Sequence, residues 1–196
     1  MGRPREFDLG EALEAALRVF WSKGYEGTSY IDLTKACGVE KPALYSAFGN
    51  KEALFKRVVS VYIEQYQSFM SDALDLPAIR DVIARILYGS IELNTRYPEH
   101  SGCLVVNGGT AGTDSADPIR QVLIEARRAA MDRIAVRFER AKKEGELPQQ
   151  TDSEALATLV TALLHGMAMQ AKAGFSRATL ERAADQLLSS IPLDRR

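Results

Sequence analysis

The spacing of the apolar residues constrains this chain most, because it keeps a helical period almost from end to end. Leu9, Leu13, Ala16, Leu17 and Phe20 form one stripe of an amphipathic helix. Ile119, Leu123, Ala126, Ala130, Ile134, Phe138 and Ala141 form another, and Leu156, Val160, Leu163 and Met167 a third, widened by Leu159, Leu164 and Ala168. Leu180, Ala184, Leu187, Leu188 and Ile191 close the series. Period-two alternation, internal repeats and low-complexity tracts are not seen. The sequence therefore predicts an all-α fold of about nine helices.

Stop and start residues divide the pattern. Asp8 is placed to cap the first helix and Gly24 to end it; Thr28 offers the next N-cap, and Gly38 breaks that helix after Cys37. A short helix starts at Lys41-Pro42 and stops at Gly49. Asn50 caps a fourth that is expected to run past Phe69 to about Leu74. Pro77 opens a fifth, ending before Pro98, and residues 99–115 read as an irregular connector. Asp117-Pro118 begins a long helix ended by Gly145. Thr151 with Glu154 suggests a capping box, and Ser176, with Phe175 and Leu180 as a hydrophobic staple, starts the last helix.

Size and charge bound the function. The 196 residues make one long domain or two short ones, and a net charge of −1 argues at first against nucleic acid. The first residues lack an apolar run, and the longest uncharged helical stretch, residues 155–171, carries Thr158, Thr161, His165 and Gln170. Neither a secretory signal nor a membrane span is expected, and the reading is a soluble cytoplasmic protein. Two cysteines and two histidines without metal-ligand spacing give no support for a disulfide framework or a zinc site, and no cofactor is expected. Two neighbouring C-terminal helices are apolar over more than one face, which predicts a homodimer through the last two helices.

Residues 28–48 read as helix, glycine turn, helix, joined by Gly38-Val39-Glu40, the pattern of a DNA-binding helix-turn-helix. Ile31, Leu33, Ala36, Val39 and Leu44 fit its inward set. Lys41, Pro42, Ala43, Tyr45 and Ser46 lie near the start of the second helix, the part of a recognition helix that enters the major groove.

The first 57 or so residues resemble the N-terminal domain of the TetR family of transcriptional regulators, segment by segment. The arm Gly2-Arg3-Pro4-Arg5 matches. So do Ala15-Ala16-Leu17-Arg18-Val19-Phe20, residues 23–29, Gly38-Val39, residues 44–48, and Asn50-Lys51-Glu52-Ala53-Leu54-Phe55. Residues 101–108 and Gly145-Glu146-Leu147 resemble one branch of the family. The resemblance implies a DNA-binding domain over residues 1–50 and a ligand-binding, dimerising domain over 51–196. It implies that Thr28, Tyr45 and Lys51 contact the DNA backbone, that Lys41, Pro42, Ala43 and Ser46 face base edges, and that Arg3 and Arg5 lie against the minor groove or phosphates. Two features depart from the family's pattern: Glu40 stands where Ser is common, and Pro42-Ala43 where a small Gly-Thr is common. Glu40 either accepts from a cytosine amino group or caps the helix.

In a TetR-like fold the effector cavity is expected among Tyr62, Tyr66, Phe69, Tyr88, Ile91, Cys103, Asn107, Met131, Met167 and Gln170, each of which is equally suited to plain core packing. Cys103 reads as a redox- or electrophile-sensing thiol or as a small buried hydrophobe. The glycines around residues 102–112 match no nucleotide-binding motif. The basic run Arg127, Arg128, Arg133, Arg137, Arg140, Lys142 and Lys143, interleaved with acids, reads as a solvated helix face.

The expectation is a homodimeric repressor on a near-palindromic double-stranded operator, released by a small-molecule effector. An activator of the same fold, or a helical ligand-binding protein without DNA binding, are the alternatives; an enzyme lacks a catalytic set. Through Arg57 nine Lys+Arg stand against eight Asp+Glu. Placement of the cations, not their sum, therefore has to carry DNA binding, and the salt dependence is expected to be moderate.

Overall fold

A computed structural model describes residues 8–108 and 117–191. Among these residues the chain is helical without strands. In order the helices are α1 (Leu9–Lys23), α2 (Tyr30–Cys37), α3 (Lys41–Phe48), α4 (Lys51–Val61), α5 (Ser68–Leu74), α6 (Ile79–Arg96), α7 (Leu104–Asn107), α8 (Asp117–Lys143), α9 (Ser153–Lys172) and α10 (Arg177–Ser190). No described helix is long and apolar enough to cross a membrane.

The termini follow cap chemistry. Asp8 accepts from the amides of Gly10 and Glu11, Asn50 from Ala53, and Ser176 from Thr179. Gly24, Gly38 and Gly49 end the first three helices at positive φ. Two caps fall one residue later than the sequence suggests. Ser29, not Thr28, caps α2 in a reciprocal box with Asp32, and Asp152, not Thr151, caps α9. Glu40 stands at the head of α3 without a side-chain cap bond.

The expected fourth helix is broken. After Val61 the backbone passes through one π turn, Tyr62–Tyr66, before α5 resumes at Ser68. The connector after α6 is also more ordered than expected: a 3₁₀ turn, Pro98–His100, leads to α7, whose Leu104, Val105 and Val106 are buried. Glycines 109 and 112 lie outside the described residues.

Apolar packing forms two joined centres. One surrounds Phe20, Trp21, Leu33, Leu44, Phe55, Val58 and Tyr62 and continues into Leu104, Ile119 and Leu123. The other joins α6, the end of α8, α9 and α10 around Ile83, Ile86, Phe138, Val160, Met167 and Leu180. The division expected between residues 50 and 51 is no break in this packing, since α4 buries Leu54, Phe55, Val58 and Val59 in the same centre as α1. Some stripe assignments shift: Leu9, Ile31, Leu159 and Phe175 are half or more exposed, and Ala36 faces solvent. Arg137 leaves the solvated face altogether. It is 4% exposed, donates to the carbonyls of Leu76 and Pro77, and lies 3.7 Å from Glu146, which in turn accepts from the amide of Ile79 at the start of α6.

Candidate nucleic-acid interface and ligand cavity

α2 and α3 meet across the left-handed Gly38, with Leu33, Leu44 and Phe48 buried between them and α1. This leaves Lys41, Pro42, Ala43, Tyr45 and Ser46 together on the exposed face of α3. Lys51 heads α4 beside them; its ammonium lies 4.4 Å from the centroid of the Tyr25 ring, and burial lowers its pKa. Arg3 and Arg5 lie outside the described residues. Thr28 is placed differently from the expectation. It is 1% exposed, and its hydroxyl donates to the Gly24 carbonyl at 2.7 Å, so its side chain closes the α1–α2 turn instead of facing outward.

An aromatic cluster that the sequence did not single out backs this surface. The Tyr30 ring stacks on Tyr45 with centroids 5.1 Å apart, and the Lys41 ammonium lies 4.5 Å from the Tyr30 centroid. An aromatic at the first position of a short helix carries no pattern that marks it in sequence.

Farther along, a narrow cavity of about 60 Å³ lies between α5, α6, α7, α8 and α9. Small Ala126, Ala130 and Ala168 leave the space, and Phe69, Leu93, Val105 and Leu164 give apolar walls. Ser90, Asn94, Cys103, Arg127, Thr161 and His165 supply polar atoms. Asn94 is 1% exposed, and among the described residues its amide oxygen has no hydrogen-bond partner although its nitrogen bonds Ser90. An acceptor at that depth is a natural anchor for a water or for a ligand's donor group. Arg127 donates to the Val105 carbonyl and helps hold the His165 pKa below its ordinary value, although burial is the larger cause. Burial pushes the Cys103 thiol up, away from the thiolate a reactive sensor needs.

Of the ten expected cavity residues, only Phe69 and Cys103 line this space. Tyr62 sits directly behind Cys103, fully buried with a strongly raised pKa. Tyr66 donates to Glu14 of α1 at 2.5 Å, and its pKa is pushed up to about 12, by burial first and that carboxylate second. Tyr88 bonds Asp185 of α10, Ile91 and Met167 lie in the second core, and Gln170 is exposed. Met131 lies in an outer groove between α8 and α9, and Asn107 lies on α7 against Gly102. The sequence reading missed Asn94, Ser90, Thr161 and His165, which come from elements far apart in the chain, and it placed Arg127 in solvent.

The cavity is tied to the helix-turn-helix part through α7. Gly102 donates its amide to the Asn94 carbonyl at 2.9 Å, and its own carbonyl accepts the indole N–H of Trp21 in α1 at 2.7 Å. At the other end of α7, the Gly108 carbonyl accepts from Tyr25 at 3.3 Å. The same short segment thus lines the cavity and is pinned at both ends to the α1 region. Among the described residues no group of three or more His, Cys, Asp or Glu stands where it could hold a metal ion.

Comparison with known proteins extends over nearly the whole chain. A family profile described as "Bacterial regulatory proteins, tetR family" matches residues 12–58, and one described as "Tetracyclin repressor-like, C-terminal domain" matches residues 78–187. The HTH-type transcriptional repressor ComR of Escherichia coli (strain K12) is 32% identical, over 97% of this chain and 92% of its own. The HTH-type transcriptional repressor BdcR of the same strain is 28% identical over 89% of this chain and 84% of its own. A cysteine mutant of the TetR family transcriptional regulator CifR, solved with 26-base-pair double-stranded operator DNA, superposes with a TM-score of 0.91. It is 36% identical, over 97% of this chain and all of that one.

Proposed function

Because the chain belongs to the TetR family of bacterial regulatory proteins, we propose that it is a transcriptional repressor, binding a near-palindromic operator as a homodimer and released by a small-molecule effector. The observation that carries this reading is the outward face of α3, Lys41 to Ser46, presented on a fold that matches a regulator solved on its operator. Residues 1–50 form the DNA-binding head and 51–196 the regulatory body, and the protein acts in the cytoplasm. Pro42, Ala43 and Ser46 face base edges, where the two apolar residues suit a thymine methyl. Tyr45 and Lys51 contact phosphates, with Arg3 and Arg5 as an added arm.

The effector site is the cavity around Asn94, Cys103 and Arg127. Occupancy there acts on α7, and α7 acts on Trp21 and Tyr25, so a ligand that prefers one setting of α7 shifts the heads. The dimer forms on the outward face of α9, where Leu159 and Met169 are about half exposed and Ala155, Ala162 and Gly166 let a second helix come close. Half-exposed Phe175 leads from that face into α10, whose exposed Arg182 and Gln186 form a polar rim.

Footprinting on the DNA flanking the gene tests the reading. A protected, near-symmetric site is expected, with a complex that weakens as salt rises. The absence of any salt-sensitive complex rejects DNA-binding regulation.

A further inference from the structure

Residues assigned to DNA by resemblance are held together by one that was not. Tyr30 opens α2, and its hydroxyl accepts the backbone N–H of Lys51, the first amide of α4, at 3.0 Å. Its ring stacks on that of Tyr45 at 5.1 Å with 22° between the planes. The Lys41 ammonium lies 4.5 Å from the Tyr30 centroid and 5.6 Å from that of Tyr45. Tyr45 and Lys41 are exposed and Tyr30 half-buried, so the cluster opens to solvent beside α3.

A phenol oxygen offers two acceptor positions and one proton. The Lys51 amide fills one position on Tyr30, and among the described residues no acceptor stands within hydrogen-bond reach of its proton. The Tyr30 proton is then left to donate outward. Lys41 is drawn across the two rings, beside the one that carries the Tyr30 hydroxyl. Lys51 is the poorer cation here, being half-buried over Tyr25 with Glu26 acting on it. A phosphodiester oxygen is anionic and only accepts, which matches one free hydroxyl beside one ammonium.

We infer that Tyr30 donates a hydrogen bond to a DNA backbone phosphate, and that Lys41, held beside it, contacts the same backbone instead of a base edge. This rests on the DNA-binding reading above. Both contacts position the head without reading sequence.

Wild type, Tyr30→Phe and Lys41→Met are titrated against the footprinted duplex and a scrambled duplex of equal length, over a range of salt. Tyr30→Phe binds both duplexes on the order of tenfold more weakly, as expected for losing a hydrogen bond to a charged group. Its salt slope stays that of wild type, because a neutral hydroxyl displaces no counterion. Its thermal midpoint without DNA falls modestly, because the Lys51 amide loses its acceptor, and the weaker binding persists at temperatures where the variant is fully folded. Lys41→Met weakens both duplexes alike and lowers the log–log salt slope by about one per subunit. The inference is overturned if Tyr30→Phe binds as wild type does, or if its loss of affinity disappears at temperatures where the variant is fully folded. It also fails if Lys41→Met affects only the footprinted duplex with the slope unchanged. If wild type itself forms no salt-sensitive complex with either duplex, the regulator reading falls first.

Discussion

His165 links the cavity to solution pH through one imidazole. Burial, and then the Arg127 charge, hold its folded pKa below the ordinary 6.5. The unfolded chain therefore binds the proton first on acidification, so the contribution of neutral His165 is complete above that value. It is lost as pH falls through it toward the folded pKa. His100, packed on Trp21 and Tyr97, is lowered in the same sense by burial. The thermal midpoint is expected to drop between about pH 7.5 and pH 5.5, a window in which only histidines among the side chains ordinarily titrate. His165→Gln should show a smaller drop, with the remainder due to His100. An undiminished drop in that variant would place His165 outside the coupling.

At the scale of elements, α7 and its leading turn carry the largest departure from the sequence reading. Gly102 holds φ at +83°, and a Cβ there would run into the side-chain amide of Asn107 and, at 2.9 Å, the carbonyl oxygen of Ala168. Gly102→Ala is therefore expected to lower stability by about 2 kcal/mol or more, from left-handed strain and displaced backbone together. Chemical denaturation measures this as a lower midpoint at constant slope, and an unchanged midpoint would mean that the turn relaxes freely. α7 was illegible because four residues in a glycine-rich stretch show no period, and their burial is set by α1, α8 and α9. Caps at Asp8, Asn50 and Ser176 were legible because a side-chain oxygen and the next turn's amides suffice. At Thr28-Ser29 two hydroxyls compete, and the shape of the α1–α2 turn decides: the Gly24 carbonyl takes Thr28, leaving Ser29 to cap. The α3 face was readable for the same local reason. The cavity was not, since Asn94, Arg127 and His165 converge only after five helices pack.

At the scale of the whole molecule, nothing among the described residues requires Gly166 to be glycine. It lies in the interior of α9, its φ is ordinary, and a Cβ there would meet nothing within 4 Å. Glycine in such a place costs about 1 kcal/mol of helix stability relative to alanine. The space above it, flanked by Ala162 and by Leu159 and Met169, fits the close approach of a second copy about a two-fold axis. Gly166→Arg should therefore leave the helical content intact but yield a monomer in sedimentation at micromolar concentration. Operator affinity should collapse with it, because two heads must be held about 34–36 Å apart to occupy successive major grooves. Gly166→Ala separates the two effects: the isolated subunit gains helix stability while the dimer, with two methyls at its closest point, weakens. A Gly166→Arg protein that remains dimeric would move the interface off this face of α9, and with it the proposed route from one cavity to the spacing of both heads.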